Sequence, residues 1–159
     1  MRRMCWIPVV AFCLGFAAVA HAQTTNDPDI ELANIKTLDC TFKIGAQGTF
    51  AKDGTVSARV KDGPELNVRI RNIDAADGVA ELVSPTAADA IVQLYGWNLH
   101  IMEASRGGRF LMTTVFGRES ENKRLKAVYT RTDYLPIDLP GFISEPEATQ
   151  YYGDCAVTR

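Results

Sequence analysis

Apolar and polar residues alternate with a period of two along most of this chain, the mark of half-buried strands. "TLDCTFKI" places Leu38, Cys40, Phe42 and Ile44 on one face and Thr37, Asp39, Thr41 and Lys43 on the other. "GAQG" then reads as a turn. "TVSARV" sets Val56, Ala58 and Val60 inward against Ser57 and Arg59, and "KDGP" reads as the next turn. "ELNVRIRNI" sets Leu66, Val68 and Ile70 against Asn67, Arg69 and Arg71, and "DAADG" closes it. "VAELV" is a short strand, "SPTAAD" a loop, and "AIVQLYG" and "WNLHIMEA" are strands around Gly96. Gly107-Gly108 predicts a two-residue hairpin turn, which requires positive φ. In that register Leu99 faces Phe116, Ile101 faces Thr114 and Glu103 faces Met112, with Trp97 and Phe110 on the same core-facing side. "ESENKR" is a polar turn, and "LKAVYTRT" points Leu125, Ala127 and Tyr129 inward.

After Asp133 the rhythm breaks. "YLPIDLPGFISEPEATQ" contains Pro136, Pro140 and Pro146. Leu139-Pro140-Gly141-Phe142 fits a type II turn, and Ser144 to Glu147 fits one capped helical turn. "QYYGDCAV" resumes the alternation with Tyr151, Gly153, Cys155 and Val157 on one face. The expected fold is all-β, an antiparallel up-and-down meander of about eight or nine strands. It closes as a barrel of the lipocalin or streptavidin kind, or packs as a two-sheet sandwich.

The first residues add the compartment. Arg2 and Arg3 precede an apolar run from Trp6 to Ala20, and Ala20-His21-Ala22 offers small residues where a signal peptidase inspects them. Residues 1–22 are expected to be a secretory signal peptide, too short and too interrupted by Pro8 for a membrane span. Residues 23–35, polar and acidic, are expected to be a flexible leader. Residues 36–159 are expected to be a single β domain, periplasmic or secreted. Without Arg2 and Arg3 the 17 basic residues become 15 against 19 acidic ones, a net charge of −4. That balance, with no basic run, argues against nucleic acid as a partner.

Of four cysteines, Cys5 and Cys13 leave with the signal. Cys40 and Cys155 remain in an oxidising compartment, where one disulfide between them is the expected outcome. Both sit on apolar faces of their strands. The bridge would tie the opening of the domain to its end, a closure worth ~4–5 kcal/mol in the chain-entropy account.

"LDCTF" near the start, from Leu38 to Phe42, and "QYYGDC" near the end, from Gln150 to Cys155, resemble a group of small exported bacterial β-rich proteins of uncharacterised function. Those proteins pair a C-x-F motif with a C-terminal YYGxC motif. The resemblance implies the same compartment and disulfide and no activity.

Catalytic chemistry finds little footing. His100 is the one histidine beyond the signal and alternates away from Leu99 and Ile101, so it reads as a surface residue. No G-x-S-x-G motif appears. One histidine and two bridged cysteines make no zinc site, and Asp74 and Asp77 in "DAADG" read as turn residues rather than calcium ligands. No catalytic residue, metal or cofactor is expected. The expectation is a non-catalytic binding module of the cell envelope, taking a small apolar ligand or an envelope protein. Tyr95, Trp97 and Tyr129 are the candidates for lining a ligand cavity. Leu139, Phe142 and Ile143 in the proline-rich loop 134–147 are the candidates for a cap or a docking edge. The alternatives are a protein-interaction factor of the protease-inhibitor kind and, third, a hydrolase using Asp133, Asp138, Glu145 and Glu147.

Overall fold

The computed structural model describes residues 28–104, 108–134 and 145–158. The signal segment and the loop residues Leu139, Phe142 and Ile143 lie outside the described residues. A short helix, α1 (Pro28–Ala33), precedes eight strands: β1 (Leu38–Phe50), β2 (Val56–Asp74), β3 (Val79–Ser84), β4 (Ala88–Tyr95), β5 (Asn98–Ala104), β6 (Arg109–Glu119), β7 (Leu125–Asp133) and β8 (Glu147–Val157). Each strand pairs antiparallel with the next, and β8 returns to β1, so the meander closes as a barrel rather than a sandwich. Closure leaves no sheet edge along the shared wall.

The ring interior is filled at one end. Leu38, Cys40, Phe42, Val68, Ile70, Leu99, Ile101 and Val115 are buried there with Tyr129, whose ring lies 5.8 Å from that of Phe42. Of the expected flexible leader, residues 28–35 are structured, because α1 folds under this end against β4, β5 and β6, and residues 23–27 lie outside the described residues. Leu32 and Ile35, three residues apart, enter the core. They plug the barrel base with apolar surface that would otherwise face water.

Three sequence expectations fail on where strands turn and how they pair, and a strand's facing changes wherever a residue is inserted. "GAQG" is not a turn. β1 runs through it to Phe50, and the reversal falls at Ala51–Thr55, where Gly54 has φ 83°. "KDGP" is a bulge inside β2, not a turn. The β1–β2 ladder slips there, Phe42 facing Leu66 while Ile44 faces Asp62. Ile44 consequently leaves the face of Cys40 and Phe42 and stands on the outside. The β5–β6 register is displaced by one from a Gly107-Gly108 turn. Leu99 faces Val115 and Ile101 faces Thr113, so Thr113 and Val115 are the β6 residues turned inward. Phe110 is partly exposed rather than core.

Cys40 and Cys155 are direct cross-strand partners on β1 and β8, joined as a disulfide with Cα atoms 3.9 Å apart and both sulfur-bearing side chains buried. The bond spans 115 positions and fastens the strands whose pairing closes the ring. Next to it, Gly153 faces Phe42. A Cβ on Gly153 would stand 2.0 Å from the Thr41 carbonyl oxygen and 2.8 Å from the Phe42 Cα, both backbone atoms that have no room to yield. The glycine of "YYGDC" is thus required by the close approach of β1 at its bulge.

Two outcomes follow from this seam. Cys155→Ala should lower unfolding free energy by about 2–5 kcal/mol, the usual loss on removing a native disulfide, read by urea denaturation under non-reducing conditions. Gly153→Ala, with the disulfide intact, should cost about 1–3 kcal/mol through overpacking against backbone. An unchanged midpoint in either variant contradicts the seam.

Candidate functional site

The β1–β2 hairpin is longer than the barrel needs. β3 pairs with β2 only from Arg69 onward, so among the described residues β2 from Val56 to Val68 pairs with β1 alone. β8 accompanies β1 as far as Thr49. The result is an arm, made of the ends of β8, β1 and β2, that extends past the ring on the side opposite α1.

The two faces of this arm are reversed relative to a barrel wall. Gln47 faces Arg59 and Thr49 faces Ser57 on the inner side, and the Thr49 and Ser57 hydroxyls lie 2.8 Å apart in a hydrogen bond. On the outer side Ala46 faces Val60, Gly48 faces Ala58 and Phe50 faces Val56. Ile44 and Tyr152 continue that face across the β1–β8 seam. Val60 is 77% exposed and Val56 63%. The inward placing expected for Val56, Ala58 and Val60 is therefore wrong. They do share one face, but no core stands beside it. Isolated exposed apolar residues are ordinary; a contiguous face of them marks a contact surface. At its foot a surface groove of about 540 Å³ runs between Lys43, Ile44, Glu65, Arg124, Tyr152 and Asp154. Arg124 crosses the outer wall there, its Nε donating to Asp154 Oδ1 at 2.5 Å and its Nη2 to the Asp39 carbonyl oxygen at 3.1 Å. Asp39 also accepts from Arg69, which holds its carboxyl below the usual carboxylate range.

The barrel mouth lies behind the arm. A pocket of about 280 Å³ opens between β1, β2 and β8, lined by Gln47, Glu65, Leu66, Glu147, Thr149 and Tyr151 among others. Tyr151 stacks obliquely on Tyr129, ring centroids 6.1 Å apart. Burial, and secondarily the Glu103 carboxyl, push the Tyr129 phenol up to about 12. On the rim Asp133 gathers two guanidinium groups, Arg109 at 2.7 Å and Arg131. Burial pushes the Asp133 carboxyl up, but the two arginines outweigh it and hold it below the usual carboxylate range.

The three aromatic candidates separate. Tyr129 is buried in the interior, while Tyr95 and Trp97 flank the β4–β5 turn, largely exposed, at the α1 end of the barrel. His100 lies on the outer wall, its Nδ1 3.0 Å from the Thr114 hydroxyl oxygen. Among the acids considered for hydrolysis, Asp133 faces Glu147 across β7–β8, but Asp133 is held by its arginines and Glu147 accepts from the Thr149 hydroxyl at 3.2 Å. Glu145 is exposed, and Asp138 lies outside the described residues. Asp74 serves its turn, accepting from the backbone N–H groups of Ala76 and Asp77. Among the described residues no group of three or more metal-ligating side chains comes together, and no helix is long and apolar enough to cross a membrane. Sequence reasoning missed the arm. Its one legible signal was the apolar set Val56, Ala58 and Val60, read with the wrong side out.

No protein-family model, curated protein or solved structure matches this chain.

The buried phenol has a pH signature. Its ionisation is opposed in the fold, so its contribution to stability is complete below the free-tyrosine pKa of 10.0 and is lost as pH rises toward about 12. Denaturation midpoints should fall over that window, and Tyr129→Phe should flatten the fall. An identical decline in both proteins contradicts the burial.

Proposed function

We propose that this is an exported, non-catalytic binding protein that engages another protein through the β8–β1–β2 arm. The observation that carries this reading is the exposed apolar outer face of the arm, headed by Val56 and Val60, beside a β2 edge that has no strand partner among the described residues. An open edge offers backbone N–H and C=O groups in a ready row, and an added strand satisfies them. The occupant this surface fits is an extended segment of a partner protein with apolar residues at alternate positions. Those residues would extend the row formed by Val56, Ala58 and Val60, while the polar positions between them meet Arg59 on the inner side. Gly63 and Pro64 set one limit of the edge, since proline has no N–H to offer a neighbouring strand.

Export is supported by the Cys40–Cys155 disulfide, which fits an oxidising compartment, together with the signal-like residues 1–22. Periplasmic residence belongs to this proposal, as does a docking role for the loop 134–147, of which residues 135–144 lie outside the described residues. The absence of catalysis is supported by His100 and Asp133 both being committed to structural hydrogen bonds.

The test is site-specific photo-crosslinking in cells of the natural host. A photoreactive residue in place of Val60 should yield a discrete heavier adduct that disappears when Val56→Lys is added. The same residue in place of Lys126, exposed on the outer side of β7, should yield none. Equal labelling at both positions, or no adduct at Val60, contradicts docking through the arm.

A further inference from the structure

A second feature lies inside the ring, independent of the arm. Glu103 is only 8% exposed, and its Oε2 has no hydrogen-bond partner among the described residues. It continues the inward row of Leu99 and Ile101 on β5. Along the ladder, Glu103 faces Leu111, Leu111 faces Arg131, Arg131 faces Thr149 and Thr149 faces Gln47. Arg131 on this rung and Arg109 beyond it are ion-paired with Asp133; the Glu103 charge also acts on Arg109, with no hydrogen bond to Oε2 among the described residues. A buried carboxyl with an unserved oxygen is costly. Folded chains satisfy nearly all such groups, so the exceptions call for a missing partner.

The surroundings state what that partner must be. A donor would serve that oxygen, and an ammonium group brings three donors and a positive charge. The Glu103 charge acts on the Tyr129 phenol, Tyr129 packs against Tyr151, and Tyr151 lines the mouth pocket; the faces of such rings favour a cation and an alkyl chain. The pocket at the mouth adds Leu66 as an apolar contact and one further carboxyl group, Glu147. Acid within, aromatic and apolar surface between, and acid at the rim match a linear chain carrying a positive charge at each end.

We propose that the mouth half of the barrel interior is a binding site for a linear aliphatic diamine. One ammonium pairs with Glu103, the methylene chain lies along Tyr129 and Tyr151, and the second ammonium meets Glu147. The site is separate from the arm's outer face, and either can fail without the other.

Titration calorimetry of the full mature protein tests it with putrescine, butylamine and butanol. Putrescine should bind saturably, butylamine several-fold more weakly, and butanol not at all. Glu103→Gln should weaken putrescine roughly a hundred-fold, as expected when one partner of a buried charge pair is truncated. Glu147→Gln should remove only the advantage of putrescine over butylamine. If Glu103→Gln fails to fold, the wild-type tyrosine ring resonances decide: putrescine should shift those of Tyr129 and Tyr151. A wild-type protein giving neither saturable heat nor shifts at these two rings overturns the site. Glu103→Gln binding as tightly as wild type overturns the role of Glu103.

Discussion

The structure turns on the pairing of β1 with β8. Every other ladder joins neighbours in sequence, for which a short turn suffices. This one brings residue 38 beside residue 157 and residue 49 beside residue 147, so it must offset the entropy of closing nearly the whole domain. The Cys40–Cys155 bridge sits within that ladder, between two strands that are already hydrogen-bonded. It removes much of the closure entropy from the unfolded chain and keeps the last strand from fraying.

Close approach at this seam shapes everything beside it. Gly153 admits the β1 backbone, and β1 bulges immediately afterwards, between Phe42 and Ile44. Past the bulge the side chains exchange faces. Gly45 and Gln47 turn toward the mouth pocket, and Ile44 turns out. The inversion produces both the polar mouth and the apolar outer face of the arm. A strand that kept its facing would have buried Ile44 and closed the mouth with apolar side chains. The two candidate surfaces of this molecule are thus products of the bulges at Lys43 in β1 and at residues 63–65 in β2.

Much of the fold was legible because alternation and cysteine counting rest on short-range physics. The strands β4, β5 and β7, the inward placing of Leu125, Ala127 and Tyr129, and the disulfide can all be read from the chain. What was not legible shares one character. Periodicity tells which residues share a face, not which face meets the core, and it loses count at an insertion. Val56, Ala58 and Val60 were correctly grouped and wrongly placed. Gly45 and Gly48 looked like turn residues because glycine favours turns, yet both continue a strand paired on each side. α1 is under two turns long, too short to show a helical period; Leu32 and Ile35 were its only trace. Glu103 was visible as an acid on an apolar face, but only the fold shows that its oxygen is left without a donor.

The most direct measurement is nuclear Overhauser contact across the closing seam in the oxidised protein. The Hα protons of Cys40 and Cys155 should give a strong cross-peak, as directly facing residues of an antiparallel pair do when their Cα atoms approach this closely. Further contacts should follow the ladder on both sides of the bulge, from Phe42 to Gly153 and from Ile44 to Tyr152. Strong contacts within β1–β2 and β7–β8 but none between β1 and β8 would mean an open sheet. The account of the barrel, its inverted arm and its mouth would then be wrong.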